Sequence, residues 1–313
     1  MGKREGVDGL GKQRAWWLLF FCNLFWAGNF VFGKYVVTVL SPLWLTFARW
    51  VLALIVLIPL AILMEKPDAK QVARQWLPLL LMGLFGVIGY NLFLYSALEY
   101  TSATNAALVA ALNPGVIVLF SFFLLREKIT GLQGVGFMVS LLGVIVILTR
   151  GNLGQLLHIE YNRGDLLAIG AVLVWTFYSI IGRRVKGVAP ITATASSTLL
   201  AVLIMLPFAI WEGVDLSAMQ PLAITGFFYI VLFPSIFSFV FWNMSVRALG
   251  TNKAGITLNL IPVFTAIISV LLGESITASQ FWGGLLVFLG VTVASGIVGG
   301  KRKSSVSVEQ NGK

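Results

Sequence analysis

Charge is scarce in this 313-residue chain: only 11% of its residues are Asp, Glu, Lys or Arg, against roughly 25% in an ordinary soluble domain. With 58% apolar residues and a mean hydropathy of +0.92, a water-soluble fold could not hide the apolar surface, because small globular domains still expose most of their boundary. The excess must face lipid. Cysteine occurs once, as Cys22 inside the first apolar run, which excludes a disulfide framework within the chain. Histidine also occurs once, as His158, and no Cys/His cluster exists to bind a metal. No G-x-x-x-x-G-K-[ST] loop is present, so ATP hydrolysis by that route is excluded, and no cofactor is expected. Acidic residues avoid the middles of the apolar runs; Glu99, Asp165 and Glu274 fall at their ends. That disfavours an obligate proton relay and a counter-ion for organic cations.

What is present is a series of apolar runs of the length that crosses a hydrocarbon core, about 20 residues for roughly 30 Å. Ten can be read, at 15–38, 42–64, 76–98, 103–125, 131–149, 165–182, 190–211, 221–244, 253–272 and 278–298. The first is followed by nine more, so it reads as a span rather than a cleaved signal peptide. The net charge of +10 does not indicate nucleic acid, because the cations sit in short clusters between apolar runs. Of the 22 Lys and Arg residues, 18 fall in the termini and the even-numbered loops, three (Lys34, Arg150 and Arg163) fall on the other side, and Arg49 lies within a run. By the positive-inside rule both termini are expected in the cytoplasm.

The chain repeats itself. Glu127, Ile129, Thr130, Gln133, Gly136, Gly143 and Val144 recur 147 residues later as Glu274, Ile276, Thr277, Gln280, Gly283, Gly290 and Val291. At an offset of 148, Pro42, Pro59 and Pro114 match Pro190, Pro207 and Pro262; at 149, Trp26 and Gly33 match Trp175 and Gly182. The chain divides into a first repeat over 1–150 and a second over 151–313. Each holds five runs, an odd number, so the second is expected to insert upside down relative to the first. The expected fold is an all-α integral membrane protein of ten transmembrane helices, in two inverted five-helix repeats around a central cavity. Inverted repeats with a midplane site are a secondary-transporter architecture.

Two five-helix copies, each with Trp in its first span (Trp26, Trp175) and closing with Pro…Glu-x-Ile-Thr…Gln…Gly…Gly-Val, resemble the drug/metabolite transporter superfamily. Within it, the chain over roughly 15–298 is similar to the EamA-type ten-helix exporters, including the YddG-type amino-acid exporters. The resemblance implies a multi-pass protein of a bacterial inner membrane, without enzymatic activity. It further implies export of amino acids, aromatic ones included, and related metabolites by alternating access. The expected partners are those solutes and the lipid bilayer, with no nucleic acid, and a monomer suffices. A multidrug or nucleotide-sugar carrier of the same superfamily is the alternative within transport. A membrane enzyme acting on lipid-linked substrates lacks any acid/base cluster in the spans.

Candidate site residues follow from the cost of polar groups in lipid. Arg49 lies seven residues past Pro42, roughly 10 Å into its helix at 1.5 Å per residue; its repeat counterpart is Ser197, so its charge is not a symmetric structural element. A guanidinium can clasp a carboxylate through two N–H groups; the competing expectation is an internal pair with Glu99 or Glu274. Trp26 and Asn29 on helix 1, and Trp175 and Tyr178 on helix 6, are expected to line the cavity, as are Tyr95, Trp242 and Asn243 on helices 3 and 8. Pro114 with Asn113, and Pro262 with Asn259, are expected to form hinges or gates, the asparagines otherwise satisfying carbonyls freed by the prolines. Glu127 and Glu274 are expected to be structural.

Overall fold

Helix starts and stops in this chain are set by proline, small capping side chains and the ends of the apolar runs. A computed structural model gives the architecture and describes residues 11–125, 130–152, 162–182, 184–217, 219–249 and 257–294. Helix α1 (Lys12–Val36) leads to α2 (Pro42–Glu65), where Pro42 occupies the first turn and the Ser41 hydroxyl accepts from the Trp44 N–H at 3.1 Å. Helix α2 stops at Lys66, in a left-handed conformation (φ 46°) before Pro67. A short surface helix α3 (Ala69–Arg74) precedes a long helix composed of α4 (Trp76–Met82), a π-helical segment π1 (Gly83–Gly89) and α5 (Tyr90–Tyr100). Then come α6 (Ala103–Ala110), α7 (Asn113–Leu125) and α8 (Gly131–Leu148).

The second half repeats this order: α9 (Arg163–Gly182), α10 (Pro190–Glu212), α11 (Pro221–Ile230), π2 (Val231–Phe237), α12 (Ser238–Leu249), α13 (Leu260–Leu271) and α14 (Ala278–Ala294). Six stretches are helices long and apolar enough to cross a membrane: Gln13–Val36, Pro42–Glu65, Trp76–Tyr100, Arg163–Gly182, Pro190–Glu212 and Pro221–Trp242. Shorter apolar helices, Ala103–Ile117, Gly134–Ile147, Leu260–Leu271 and Ala278–Val293, occupy the other four expected positions. Glu127, His158 and Lys253 lie outside the described residues.

The repeat is visible in detail. The π segments begin at Gly83 and Val231, a separation equal to the sequence offset of the prolines. Matched helices also touch each other. Helix α10 has no side-chain cap of its own; Glu65, at the end of α2, accepts from the N–H groups of Ile191 (3.1 Å) and Thr192 (2.7 Å). A carboxylate there satisfies orphan donors and meets the positive end of the helix dipole. The end of α2 thus abuts the start of α10, so the two run antiparallel. Helices α8 and α14 cross antiparallel as well, through the glycines of the repeated motif. A Cβ at Gly143 would stand 2.6 Å from the Gly283 carbonyl oxygen, and one at Gly290 would stand 2.6 Å from the Gly136 carbonyl oxygen. Small residues at such a crossing let two backbones approach.

The largest buried cluster gathers where α1 and α5 end, α2 and α6 begin and α11 runs into π2, with Val31, Leu45, Leu94, Leu98 and Ile230 among its members. Helix α1 packs against α11, α12 and α13 of the other half, as α9 packs against α5, α6 and α7. Both first helices of the repeats therefore flank a central space.

Gly290→Ala forces its methyl into the backbone of Gly136 and Ser140. We expect a loss of about 1–3 kcal/mol, measured as a lower unfolding temperature in detergent. Gly134→Ala, whose methyl meets nothing within 4 Å, should leave that temperature unchanged or slightly raised.

Candidate functional site

Arg49 sits in the second turn of α2 and is only 3% exposed. A buried cation is costly unless its donors are met, and here every acceptor that meets it is neutral. Its Nε donates to the Ser235 hydroxyl at 3.0 Å and its Nη2 to the same oxygen at 2.7 Å. Its Nη1 donates to Asn29 Oδ1 (3.0 Å) and Asn91 Oδ1 (3.1 Å), and also to the Tyr95 hydroxyl. Tyr95 in turn donates to Asn29 Oδ1 at 2.9 Å. The ring of Trp50 lies 5.0 Å and that of Tyr95 5.7 Å from Cζ, within cation–π range. Among the described residues no carboxylate pairs with Arg49. Glu99 and Glu274 interact with Lys34 instead, so an internal ion pair does not account for Arg49.

Local backbone chemistry explains why the acceptors point at Arg49. Pro234, inside π2, has no N–H, so the Ile230 carbonyl cannot take from it the bond that a regular α-helix would supply. The Ser235 hydroxyl donates to that carbonyl at 2.8 Å, turning its lone pairs to the guanidinium. Across the site, Asn91 Nδ2 donates to the Val87 carbonyl at 2.8 Å and the Gly86 carbonyl at 3.3 Å, both in π1. Its Oδ1 is thereby aimed at Nη1. The irregular segment of each half thus orients one of the oxygens that hold the cation.

A guanidinium has five N–H groups. The bonds above use Nε–H, both hydrogens of Nη1 and one of Nη2. The second Nη2 hydrogen has no acceptor among the described residues, and Arg49 forms part of the wall of a central cavity. That cavity measures about 70 Å³, so it has to widen to admit a solute, small-molecule sites running to roughly 300–1,000 Å³. Its wall is aromatic on several sides, with Trp26, Trp50, Tyr90, Trp175 and Phe239. Trp50 Nε1 is buried without a partner. Among the described residues no Asp or Glu lines the cavity. The carboxamide oxygen of Asn113, also in the wall, is buried without a partner; leaving such a group unmet costs about 1–3 kcal/mol.

The structure sorts the sequence candidates into two shells. Arg49, Trp26, Asn29 and Trp175 line the cavity, with Trp26 Nε1 donating to the Pro234 carbonyl at 3.2 Å. Tyr95 is fully buried and stands behind Arg49, not in the wall. Tyr178 also lies outside the wall, its ring tilted against Trp175 at 4.9 Å between centroids and packed against Gly86, where a Cβ would collide with it. Trp242 supports Trp26 from 5.5 Å. The Asn243 side chain lies outside the described residues. Of the hinge candidates, Asn113 and Pro262 reach the cavity, while Pro114 stands in the first turn of α7. Asn259 faces a separate apolar groove between α6, α13 and α14. Neither asparagine satisfies a freed carbonyl, since neither carboxamide makes a hydrogen bond among the described residues. In place of a mid-helix kink, the chain breaks at Ala111–Leu112 and again at Leu258–Asn259, each time just before a proline.

Trp50 was not legible as a site residue, and Tyr90, Asn91 and Ser235 stand in the sequence only as polar residues of helices 3 and 8, not singled out beside Tyr95 and Trp242. The available signals were the four-residue spacing of Asn91 and Tyr95 on one helix face and the position of Ser235 directly after Pro234.

Comparison with known proteins agrees with this architecture. The model of the EamA-like transporter family matches twice, over residues 13–149 and 162–296. The chain is 28% identical over 279 residues to an uncharacterized transporter, YyaM, of Bacillus subtilis, covering 88% of this chain and 92% of that one. It is 29% identical over 209 residues to an aromatic amino acid exporter, YddG, of Ancylobacter novellus, covering 64% and 70%. A probable amino-acid metabolite efflux pump of Salmonella typhimurium is 26% identical over 283 residues, covering 86% and 90%. A solved crystal structure aligns with a TM-score of 0.65 at 21% identity over 91% of this chain and 98% of that one, a likeness of fold alone. The chain belongs to the EamA-like transporter family.

Proposed function

We propose that this transporter exports amino acids, aromatic ones included, and related small metabolites across a bacterial inner membrane by alternating access. The observation that carries the reading is a buried guanidinium, unpaired with any acid among the described residues, in the wall of an aromatic cavity between the two repeats. A fixed positive charge in a low-dielectric site attracts a carboxylate strongly, and its uncommitted N–H, with the free Trp50 Nε1, provides donors for it. The indole and phenol rings supply an apolar bed for an aromatic or aliphatic side chain. An absence of acid in the wall argues against a preference for organic cations.

The mechanism follows from where the packing is dense and where it is open. We read the chain as ten spans in two inverted halves, with both termini in the cytoplasm. Antiparallel contact of matched helices supports the inversion, and the distribution of Lys and Arg supports the orientation. On that orientation the large apolar cluster lies at the external end and closes the cavity there. The first helices of the two repeats then carry the cavity walls as the halves rock, opening it alternately to each side. The matched breaks before Pro114 and Pro262 provide bending points.

Purified protein in liposomes should show saturable, counterflow-competent flux of labelled phenylalanine. No saturable flux of any amino acid would sink the reading, and flux indifferent to an imposed pH gradient would identify facilitation. Arg49→Gln should raise KM for carboxylate-bearing solutes by about ten-fold or more; an unchanged KM would assign Arg49 to structure. Ser235→Ala strips Nε and one Nη2 hydrogen of their acceptor. It should cost about 1–3 kcal/mol in thermal stability and raise KM several-fold, because the guanidinium loses its orientation.

A further inference from the structure

Asn113 opens α7, directly after the Ala111–Leu112 turn. Asparagine at a helix start ordinarily caps it by accepting from a backbone N–H one turn on. Here it does not: the Val116 N–H is taken by the Leu112 carbonyl at 3.0 Å, and the Asn113 side chain makes no hydrogen bond among the described residues. Yet the residue is 7% exposed and stands in the cavity wall. Buried carboxamides in folded proteins nearly always have partners, so this one is shaped for a partner that enters the cavity. Either orientation of the amide is open to it, because neither its oxygen nor its nitrogen is engaged. On the same face of α6, Ala107, Ala110 and Ala111 are too small to fill the space beside it.

Two free functions therefore share one cavity: donors at Arg49 and Trp50, and a neutral acceptor at Asn113. With no acid in the wall among the described residues, an ammonium group entering beside a carboxylate meets Asn113 as a free side-chain acceptor there. We infer that Asn113 accepts from the ammonium group of an α-amino acid whose carboxylate is held by Arg49, and is the residue that distinguishes amino acids from their deaminated analogues. The inference rests on the exporter reading and adds to it the basis of selectivity. A site built to hydrogen-bond a substrate N–H discriminates against the analogue that lacks it, because its own polar group is then left unmet.

The test compares phenylalanine, 3-phenylpropanoate and phenethylamine as labelled solutes in liposomes: the same ring with both charged groups, with the carboxylate alone, and with the amine alone. Wild-type protein should prefer phenylalanine to 3-phenylpropanoate. Asn113→Leu should raise KM for phenylalanine about ten-fold while changing that for 3-phenylpropanoate less than about two-fold, so that the preference collapses. Asn113→Asp, which keeps the shape and adds a negative charge, should admit phenethylamine, which the wild-type protein transports poorly. Equal KM changes for phenylalanine and 3-phenylpropanoate in Asn113→Leu, or no change in either, would overturn the assignment of Asn113 while phenylalanine export stands. Absence of phenylalanine flux in the wild-type protein would overturn the exporter reading and this inference with it.

Discussion

A guanidinium held among neutral oxygens, well inside a membrane protein, governs how the rest of this structure is arranged. The charge on Arg49 cannot be shed, because arginine does not deprotonate in proteins. It cannot be left bare, because an unmet ion in an apolar medium costs far more than any single contact returns. The surrounding helices therefore converge on it: α1 contributes Asn29, α5 contributes Asn91 and Tyr95, and π2 contributes Ser235 from the other repeat. Those acceptors neutralise no charge. The positive potential stays available to the cavity, whereas an internal carboxylate would have quenched it.

The acceptors depend in turn on defects in helix geometry. A regular α-helix spends each carbonyl on its own ladder, so a side chain bonded there shares the oxygen with a backbone N–H. The π segments lie near the midpoint of two long helices, and Ser235 and Asn91 are anchored on carbonyls in or directly beside them. In one half a proline creates the irregularity; in the other, Gly83, Gly86 and Gly89 accompany it. Different residues thus produce the same backbone form at matched positions. The duplicated architecture tolerates that divergence because the constraint is on the backbone. Rigid support comes from the crossing of α8 and α14, where glycines on both sides leave no room for a methyl group.

Much of the architecture was legible because it rests on periodic or summed properties. Apolar run length, the sided distribution of Lys and Arg, and the recurrence of Pro42, Pro59, Pro114 and the Glu-x-Ile-Thr motif at nearly constant offset are properties of the chain as a string. Site residues were legible only in part. Arg49, Trp26, Asn29 and Trp175 are conspicuous because a polar or bulky group in an apolar run must have somewhere to go. Tyr95, Tyr178 and Trp242 are equally conspicuous, yet they stand one layer back as supports. Which of two aromatic residues meets the cavity depends on helix rotation and on the neighbour that covers it. Ser235 and Asn91 do not stand out from the other polar residues of their helices, because small polar residues in a span most often bond their own helix.

The sequence by itself determined that this chain lives in a bilayer, that it is a duplicated helical protein, and that one arginine within a span demands an explanation. Those conclusions need only the cost of exposing apolar or charged groups to the wrong medium, which each residue carries wherever it sits. The tertiary structure decided that, among the described residues, Arg49 has no acidic partner, Ser235 and Asn91 hold it, and the Asn113 side chain lines the same cavity without a hydrogen bond. Pairing depends on which side chains converge from helices distant in sequence. Asn29 and Ser235 are more than 200 residues apart and meet on one guanidinium only because the two halves fold against each other.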